Sequence, residues 1–397
     1  MLKNRPIFDR INCTACGSCI NICPSRALFW KPDERGFCYP QADASKCTEC
    51  GICQQVCPIG RKKELEFDFS PEVYAAYAKN ETIRCNSSSG GIFSVLAESV
   101  LNDHGAVYGA AFDGDFKVVH IGIRSREELA KLRGSKYVQS FVPENIYVEI
   151  KKELQAGIPV LFSGTPCQIA GLKLFLQKEY PNLLLVDLIC HGVPSPELFA
   201  EYLKYLECHH GKISSYLFRD KHKSWKLFNS KITANGKTVI RYMDQDLFLF
   251  FFLTQPVLRE SCYHCAYADR GRISDITIGD FWGFQDKYRM RDDDRGLSCV
   301  ICNSTKGRQF FQTLHHLLDF EKRTLEEAEQ GNPVLVSPVR CDKSEQEHFW
   351  NLFLNSGWET LKKTYYKPSL KERMLLFLRI HCNFFYTILQ YIHRKMA

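Results

Sequence analysis

Thiols are the residues with the clearest chemistry in this chain. There are 19 cysteines, and eight of them fall in two runs between Cys13 and Cys57. Residues 13–24 read Cys-Thr-Ala-Cys-Gly-Ser-Cys-Ile-Asn-Ile-Cys-Pro, and residues 47–58 read Cys-Thr-Glu-Cys-Gly-Ile-Cys-Gln-Gln-Val-Cys-Pro. Seven of the twelve positions are identical at an offset of 34, so the runs are an internal repeat. Each is the C-x2-C-x2-C-x3-C-P pattern that wraps an iron–sulfur cubane. Three close thiolates hold one cubane, and the fourth reaches across to the other. The spacing therefore assigns Cys13, Cys16, Cys19 and Cys57 to one [4Fe-4S] cluster, and Cys47, Cys50, Cys53 and Cys23 to a second. A pair of zinc sites fits poorly, because zinc favours two separated C-x2-C pairs. Ala15, Gly17 and Gly51 are small residues that let backbone N–H groups approach the sulfides.

A second set of cysteines lies further along. Cys167 follows an apolar run and opens a helical pattern, Cys190 ends the next apolar run, and Cys262 and Cys265 form a C-x2-C pair. If the two runs are parallel strands, Cys167 and Cys190 emerge at one carboxyl edge, where open α/β sheets bind ligands. These four residues make a third [4Fe-4S] cluster the favoured reading. A zinc site, or Cys167 as a reactive thiol, is the alternative. Cys299 and Cys302 share C-x2-C spacing but lie in a strand-like run, where residues three apart face opposite sides. They are read as core packing. Cys38, Cys85, Cys208, Cys341 and Cys382 are isolated and are also read as structural.

The elements that must position these groups show in the hydropathy pattern. Ile92–Leu101, Glu144–Gln155, Pro166–Gln177 and Pro196–Glu207 read as helices. Ala106–Phe112, Phe116–Ile123, Ile158–Ser163 and Leu183–Ile189 read as strands, and 212–242 as antiparallel strands around Asn235-Gly236. Alternation from 158 to 207 predicts a βαβ unit with parallel strands. The expected fold is α+β/α/β. A small bacterial-type ferredoxin domain (1–65) and a linker (66–84) precede a mixed α/β domain (85–340) that carries the second set of cysteines. A helical C-terminal segment (341–397) follows. Lys371–Lys395 is long and helix-like, but Arg379, His381, Asn383 and Gln390 interrupt its apolar run. Docking on its own domain is preferred over contact with a membrane surface.

The chain is 45% hydrophobic and 24% charged, which excludes a disordered protein. Net charge is +7 and spread along the chain, which disfavours a nucleic-acid partner. The first residues carry no apolar export signal, so a cytoplasmic location is expected, where clustered thiols read as metal ligands rather than disulfides.

Ordered blocks carry a resemblance to a known family. They are Ser-Ser-Ser-Gly-Gly-Ile-Phe-Ser (87–94), Gly-Ser-Lys-Tyr-Val-Gln-Ser (134–140), Ser-Gly-Thr-Pro-Cys-Gln-Ile-Ala-Gly-Leu-Lys (163–173) and Asp-Leu-Ile-Cys-His-Gly-Val-Pro-Ser-Pro (187–196). Phe-Arg-Asp-Lys (218–221), Cys-Tyr-His-Cys (262–265) and Ser-Asp-Ile-Thr-Ile-Gly-Asp-Phe-Trp-Gly (274–283) complete the set. Together they resemble the coenzyme F-420 hydrogenase/dehydrogenase beta-subunit family, in its form with a fused two-cluster ferredoxin. The resemblance implies a flavin-dependent iron–sulfur oxidoreductase carrying FAD, with FMN the alternative. Its small-molecule electron acceptor or donor would be coenzyme F-420 or another conjugated compound. It also implies a redox partner protein, a ferredoxin or an oxidoreductase subunit.

No G-x-G-x-x-G follows a strand. The flavin therefore rests on the resemblance and on two loops, Ser87, Ser88, Ser89, Gly90 and Gly91, and Ser135, Lys136, Tyr137, Gln139 and Ser140. The first could hold phosphate or be an ordinary Ser/Gly helix cap. The second could meet phosphate or ring, or be a polar strand edge. His191 reads as a packing partner of the third cysteine set, with proton transfer the alternative. Lys221, His222 and Lys223 read as a solvated basic run. No catalytic residue is identified. The competing function class is a non-catalytic electron-transfer subunit wiring a partner enzyme to ferredoxin. The resemblance implies surface-polysaccharide biosynthesis as one setting for that partner enzyme.

Overall fold

A computed structural model describes residues 10–243, 245–254, 256–285 and 289–366. The cysteine-rich segment comes first. Its two cysteine loops flank a hairpin of β1 (Leu28–Pro32) and β2 (Cys38–Ala42), and each loop runs into a short helix, Ser18–Ile22 and Ile52–Gln55.

The chain then enters a large sheet with β3 (Glu72–Ala78), and continues with β4 (Ala106–Phe112), β5 (Val118–Ile123), β6 (Val160–Gly164) and β7 (Leu183–Leu188). Residues 72–78 were expected in a linker and instead form an interior strand of this sheet. The reason is compositional. Val73, Tyr74, Ala75, Ala76 and Ala78 are buried, so polar alternation is absent, and the alanines mute the hydrophobic signal. β4 and β5 form the expected hairpin. β4, β6 and β7 pair in parallel, with the helix Pro166–Leu176 as the crossover between β6 and β7. That helix opens with Thr165 and Gln168 in a capping box and Pro166 in its first turn, which fixes the start of the turn carrying Cys167.

β8 (Ile213–Asp220), β9 (Asn229–Ala234) and β10 (Lys237–Arg241) make a separate antiparallel sheet. Its last turn is Asn235-Gly236, both at positive φ, as the sequence predicts. The chain returns to the large sheet with β11 (Ile276–Asp280), β12 (Ser298–Cys302) and β13 (Leu318–Arg323). The order is β13-β3-β12-β11-β7-β6-β4-β5, with β11, β7, β6 and β4 parallel and the flanks antiparallel. Cys299 and Cys302 point to opposite faces, each into a different apolar cluster, as strand geometry requires. Cys85 and Cys208, expected to be structural, are exposed.

Contacts divide the chain between Lys343 and Ser344. In the second unit the helix ending at Tyr365 is broken at Gly357, whose φ of 67° is not helical. The expected helix 371–395, with Cys382, lies outside the described residues. Among the described residues no helix is long and apolar enough to cross a membrane.

Candidate metal and cofactor centre

The two halves of the cysteine repeat share a backbone device. Ala15 and Gly17 flank Cys16 at φ of 54° and 84°, and Glu49 and Gly51 flank Cys50 at 54° and 74°. Left-handed residues at these places curl successive N–H groups into a concave, anion-seeking nest, which suits the sulfides of a cubane. The non-glycine left-handed residues recur at the same step of the repeat, so the conformation belongs to the loop rather than to one residue.

Electrostatic neighbours follow the groups read from the spacing only in part, because Cys53 also acts on Cys19 and Cys57, and Cys167 on Cys16. Cys16 and Cys19 both feel Cys13 and Cys57, and Cys53 feels Cys23 and Cys50. Cys190 feels Cys262, Cys167 and Cys265. Burial pushes Cys16, Cys19, Cys53 and Cys190 up, as it does Cys167, to about 11, and Cys262, to about 12, with neighbouring cysteines adding to it; Cys23 is lowered instead, burial being outweighed by hydrogen bonds to its sulfur. Burial raises the core thiols Cys299 and Cys302 to about 12 as well, so the rise marks burial, and the metal reading rests on the spacing. Among the described residues no three His, Cys, Asp or Glu side chains converge around a single ion.

The two cysteine loops differ in exposure. Cys13, Cys16 and Cys19 are buried, whereas Cys50 is exposed and Cys47, Cys53 and Cys57 are half-buried. The first loop is buried because it packs on the helix Pro166–Leu176. The Tyr147 hydroxyl contacts the carbonyl oxygens of Cys16 at 2.7 Å and Gln168 at 3.1 Å, and Gly171 leaves room for the Cys16 side chain.

The carboxyl edge of the parallel strands borders a cavity of about 500 Å³, within the usual range for a small-molecule site. Cys167 and Cys190 line it, as the sheet-edge argument predicts, and Cys262 and Cys265 line it from a separate loop. So do Ser87, Ser88, Ser89, Gly91, Ser135, Lys136, Tyr137, Gln139 and Ser140. The two loops are joined directly, because Ser135 donates from its backbone N–H to Ser88 Oγ at 2.8 Å. Gly90 does not line the cavity. It is a packing glycine: its N–H donates to Ser298 Oγ, and a Cβ there would lie 2.5 Å from the Ala76 carbonyl oxygen. Lys136 lines the wall, but its ammonium donates to the carbonyls of Lys131, Leu132 and Arg133, capping a helix end. Burial lowers its pKa to about 7. Tyr137 stacks on Phe252 at 4.7 Å, and its hydroxyl accepts from Arg219.

His191 lines the same cavity, packs edge-on against Phe252, and has a buried Nε2 with no hydrogen-bond partner. Lys221 is not part of a solvated basic face. Its ammonium is held by the carbonyls of Arg84, Ser89 and Arg295.

Several wall residues carry no sequence signal. Thr14, from the first ferredoxin loop, reaches the cavity. His120 is buried between Ser140 Oγ and the Ser163 carbonyl, and burial lowers its pKa to about 4. Behind the wall, Arg219 pairs at 2.6 Å with Asp280 and lies over the Phe228 ring, both of which line the cavity. Arg259 bonds the Cys13 carbonyl and Gln139. His120 and Arg259 are lone residues in their segments, and only folding brings them to the wall.

Comparison with known proteins identifies the family. Residues 12–60 match the 4Fe-4S dicluster domain. Residues 73–146 and 159–328 match the N-terminal and C-terminal models of the coenzyme F420 hydrogenase/dehydrogenase beta subunit. No curated protein matches. Among solved structures, a chain of the F420-reducing [NiFe] hydrogenase complex from Methanosarcina barkeri, determined as a xenon derivative, is similar. It has 15% identity over 73% of this chain and 91% of that one, with a TM-score of 0.41. The chain belongs to the coenzyme F420 hydrogenase/dehydrogenase beta-subunit family of oxidoreductases, with a 4Fe-4S dicluster domain ahead of the beta-subunit core.

Proposed function

We propose that the chain is a flavin-dependent iron–sulfur oxidoreductase that moves electrons between a protein partner and a conjugated small molecule of the coenzyme F-420 type. The observation that carries the reading is the shared cavity. It gathers the two candidate flavin loops, the four cysteines of the third set, and Thr14 of the first ferredoxin loop.

In this reading Cys23, Cys47, Cys50 and Cys53 hold the outer cluster and meet the partner protein, because Cys50 is exposed. Cys13, Cys16, Cys19 and Cys57 hold an inner cluster, and Cys167, Cys190, Cys262 and Cys265 a third beside the cavity. Cys16 packs against Gly171 of the helix that Cys167 opens, so the inner and third groups are neighbours. A bound flavin supplies the exchange between single electrons and hydride. Ser88 and Ser135 brace the two loops against each other, and the Tyr137–Phe252 stack gives the cavity a flat aromatic wall. His191 offers a neutral imidazole, since burial lowers its pKa, with a free Nε2 to hold or accept a proton at the substrate.

Anaerobic purification with iron, sulfide and flavin counted per chain tests the assignment. The expected result is about twelve iron and twelve sulfide, four of each for every cubane, with one tightly held flavin. Zinc in place of iron, or no released flavin, refutes it. Reoxidation of the reduced protein by coenzyme F-420, without other subunits, distinguishes an enzyme from a wiring subunit.

A further inference from the structure

Arg259 occupies an unusual position. It is fully buried and lines the cavity. Its Nε donates to the Cys13 carbonyl at 2.7 Å, and its Nη1 to the Cys38 carbonyl at 3.1 Å and Gln139 Oε1 at 3.0 Å. The guanidinium lies over the Tyr39 ring at 4.1 Å. All these partners are neutral. The remaining nitrogen, Nη2, is buried with no hydrogen-bond partner, and no carboxylate pairs with Arg259 among the described residues.

A guanidinium stays charged in proteins, and burying it without a counter-charge costs several kcal/mol. The other buried arginines near this centre differ. Arg272 has Asp187 at 2.6 Å, and Arg219 has Asp280. No carboxylate plays that part for Arg259, which stands between two of the proposed ligand sets. Its Nε donates to the Cys13 carbonyl on the ferredoxin side, and its own carbonyl accepts from the Cys262 N–H at 2.8 Å on the sheet side.

We infer that Arg259 is a positioning residue for electron transfer: a fixed cation between the first ferredoxin loop and the third cysteine set, serving as counter-charge to the metal centres on both sides. The inference rests on the iron–sulfur reading above. Reducing a thiolate-bound centre by one electron adds one negative charge and neither makes nor breaks a bond. A nearby cation makes that addition easier and raises the potential. The electron comes from a low-potential one-electron carrier. Arg259 also ties the Cys13 loop to the cavity wall, so the two centres it faces are held at a fixed separation.

The test is an anaerobic, EPR-monitored redox titration of the full chain with dithionite, comparing the parent with R259Q and R259K. The expected result for R259Q is unchanged iron and sulfide, with the reduction equilibrium of at least one centre made about tenfold less favourable, a shift of ~59 mV for one electron. R259K, which keeps the charge, restores most of that shift. Q139E provides a second route, placing a carboxylate against Nη1 while leaving the guanidinium in place, and lowers the potential in the same direction. If R259Q holds too little iron to titrate, Q139E decides. Full iron with unchanged midpoints in R259Q, or in Q139E where it decides, overturns the inference and leaves the iron–sulfur reading intact. A parent protein without iron overturns both.

Discussion

Replacing Gly171 with alanine sets two effects of opposite sign against each other. Gly171 lies inside the helix Pro166–Leu176, where glycine is a poor helix former. On propensity alone, alanine would stabilise the fold by about 1 kcal/mol. Its Cβ, however, would lie 2.8 Å from Cys16 Cβ and 2.9 Å from Cys16 Sγ. Neither atom can swing aside, because the Cys16 loop is anchored by its carbonyl's contact with the Tyr147 hydroxyl and by Asn21, whose amide donates to the Pro143 carbonyl. Helix and loop must separate, and overpacking of this kind costs about 1–3 kcal/mol. The net is a loss of about 1 kcal/mol. With an m-value of about 1–3 kcal/mol per molar, the urea midpoint falls by about 0.3–1 M. Anaerobic urea unfolding of parent and G171A, followed by tryptophan fluorescence and by visible absorbance, measures it. The absorbance is expected to bleach at lower urea than in the parent. A midpoint that rises, with absorbance held as tightly as in the parent, would show that the first ferredoxin loop does not seat on this helix.

Three further outcomes follow from other sites. D187A leaves Arg272 buried without its 2.6 Å partner at the base of the Cys190 strand, and should destabilise the protein by about 3–5 kcal/mol in chemical denaturation. D187N, which keeps an acceptor, should cost less. C299S and C302S should retain the parent's iron content because both thiols face apolar clusters, whereas C190S should lose the iron of the third group; elemental analysis decides. His120 is buried neutral, its pKa lowered from the usual 6.5 to about 4. Below pH 6.5 the unfolded chain takes up a proton that the folded one refuses. Stability therefore falls as pH drops from 6.5 towards 4, by up to about 3 kcal/mol from this residue. Urea midpoints across that range, compared with H120Q, should show a flatter slope in the variant.

Much of the centre was legible in the sequence because its signals are local. The ferredoxin runs need only spacing, since one loop wraps three irons, and Ala15, Gly17, Glu49 and Gly51 adopt the backbone that the repeat demands. The convergence of Cys167 and Cys190 followed from periodicity alone, because parallel strands joined by a crossover helix put their carboxyl ends on one edge. The antiparallel strands around Asn235-Gly236 were equally plain.

What the sequence left undetermined is long-range. The strand at 72–78 was hidden because burial on both faces removes the alternation that marks a strand, and its pairing with β12 and β13 joins residues more than two hundred positions away. Gly90 and Gly91 look alike in a Ser/Gly run, but only packing against Ala76 and Ser298 turns one from the cavity and leaves the other on its wall. Lys136 has the chemistry of a phosphate ligand until three carbonyls occupy its ammonium. Arg259 carries no motif. Its meaning comes from lying between two cysteine groups separated by some 150 positions in the chain, a juxtaposition created by the closing of one segment on another. Residue type and spacing determined which atoms could bind metal. Tertiary packing decided which charges face them, because electrostatic partners are chosen by distance through space and not along the chain.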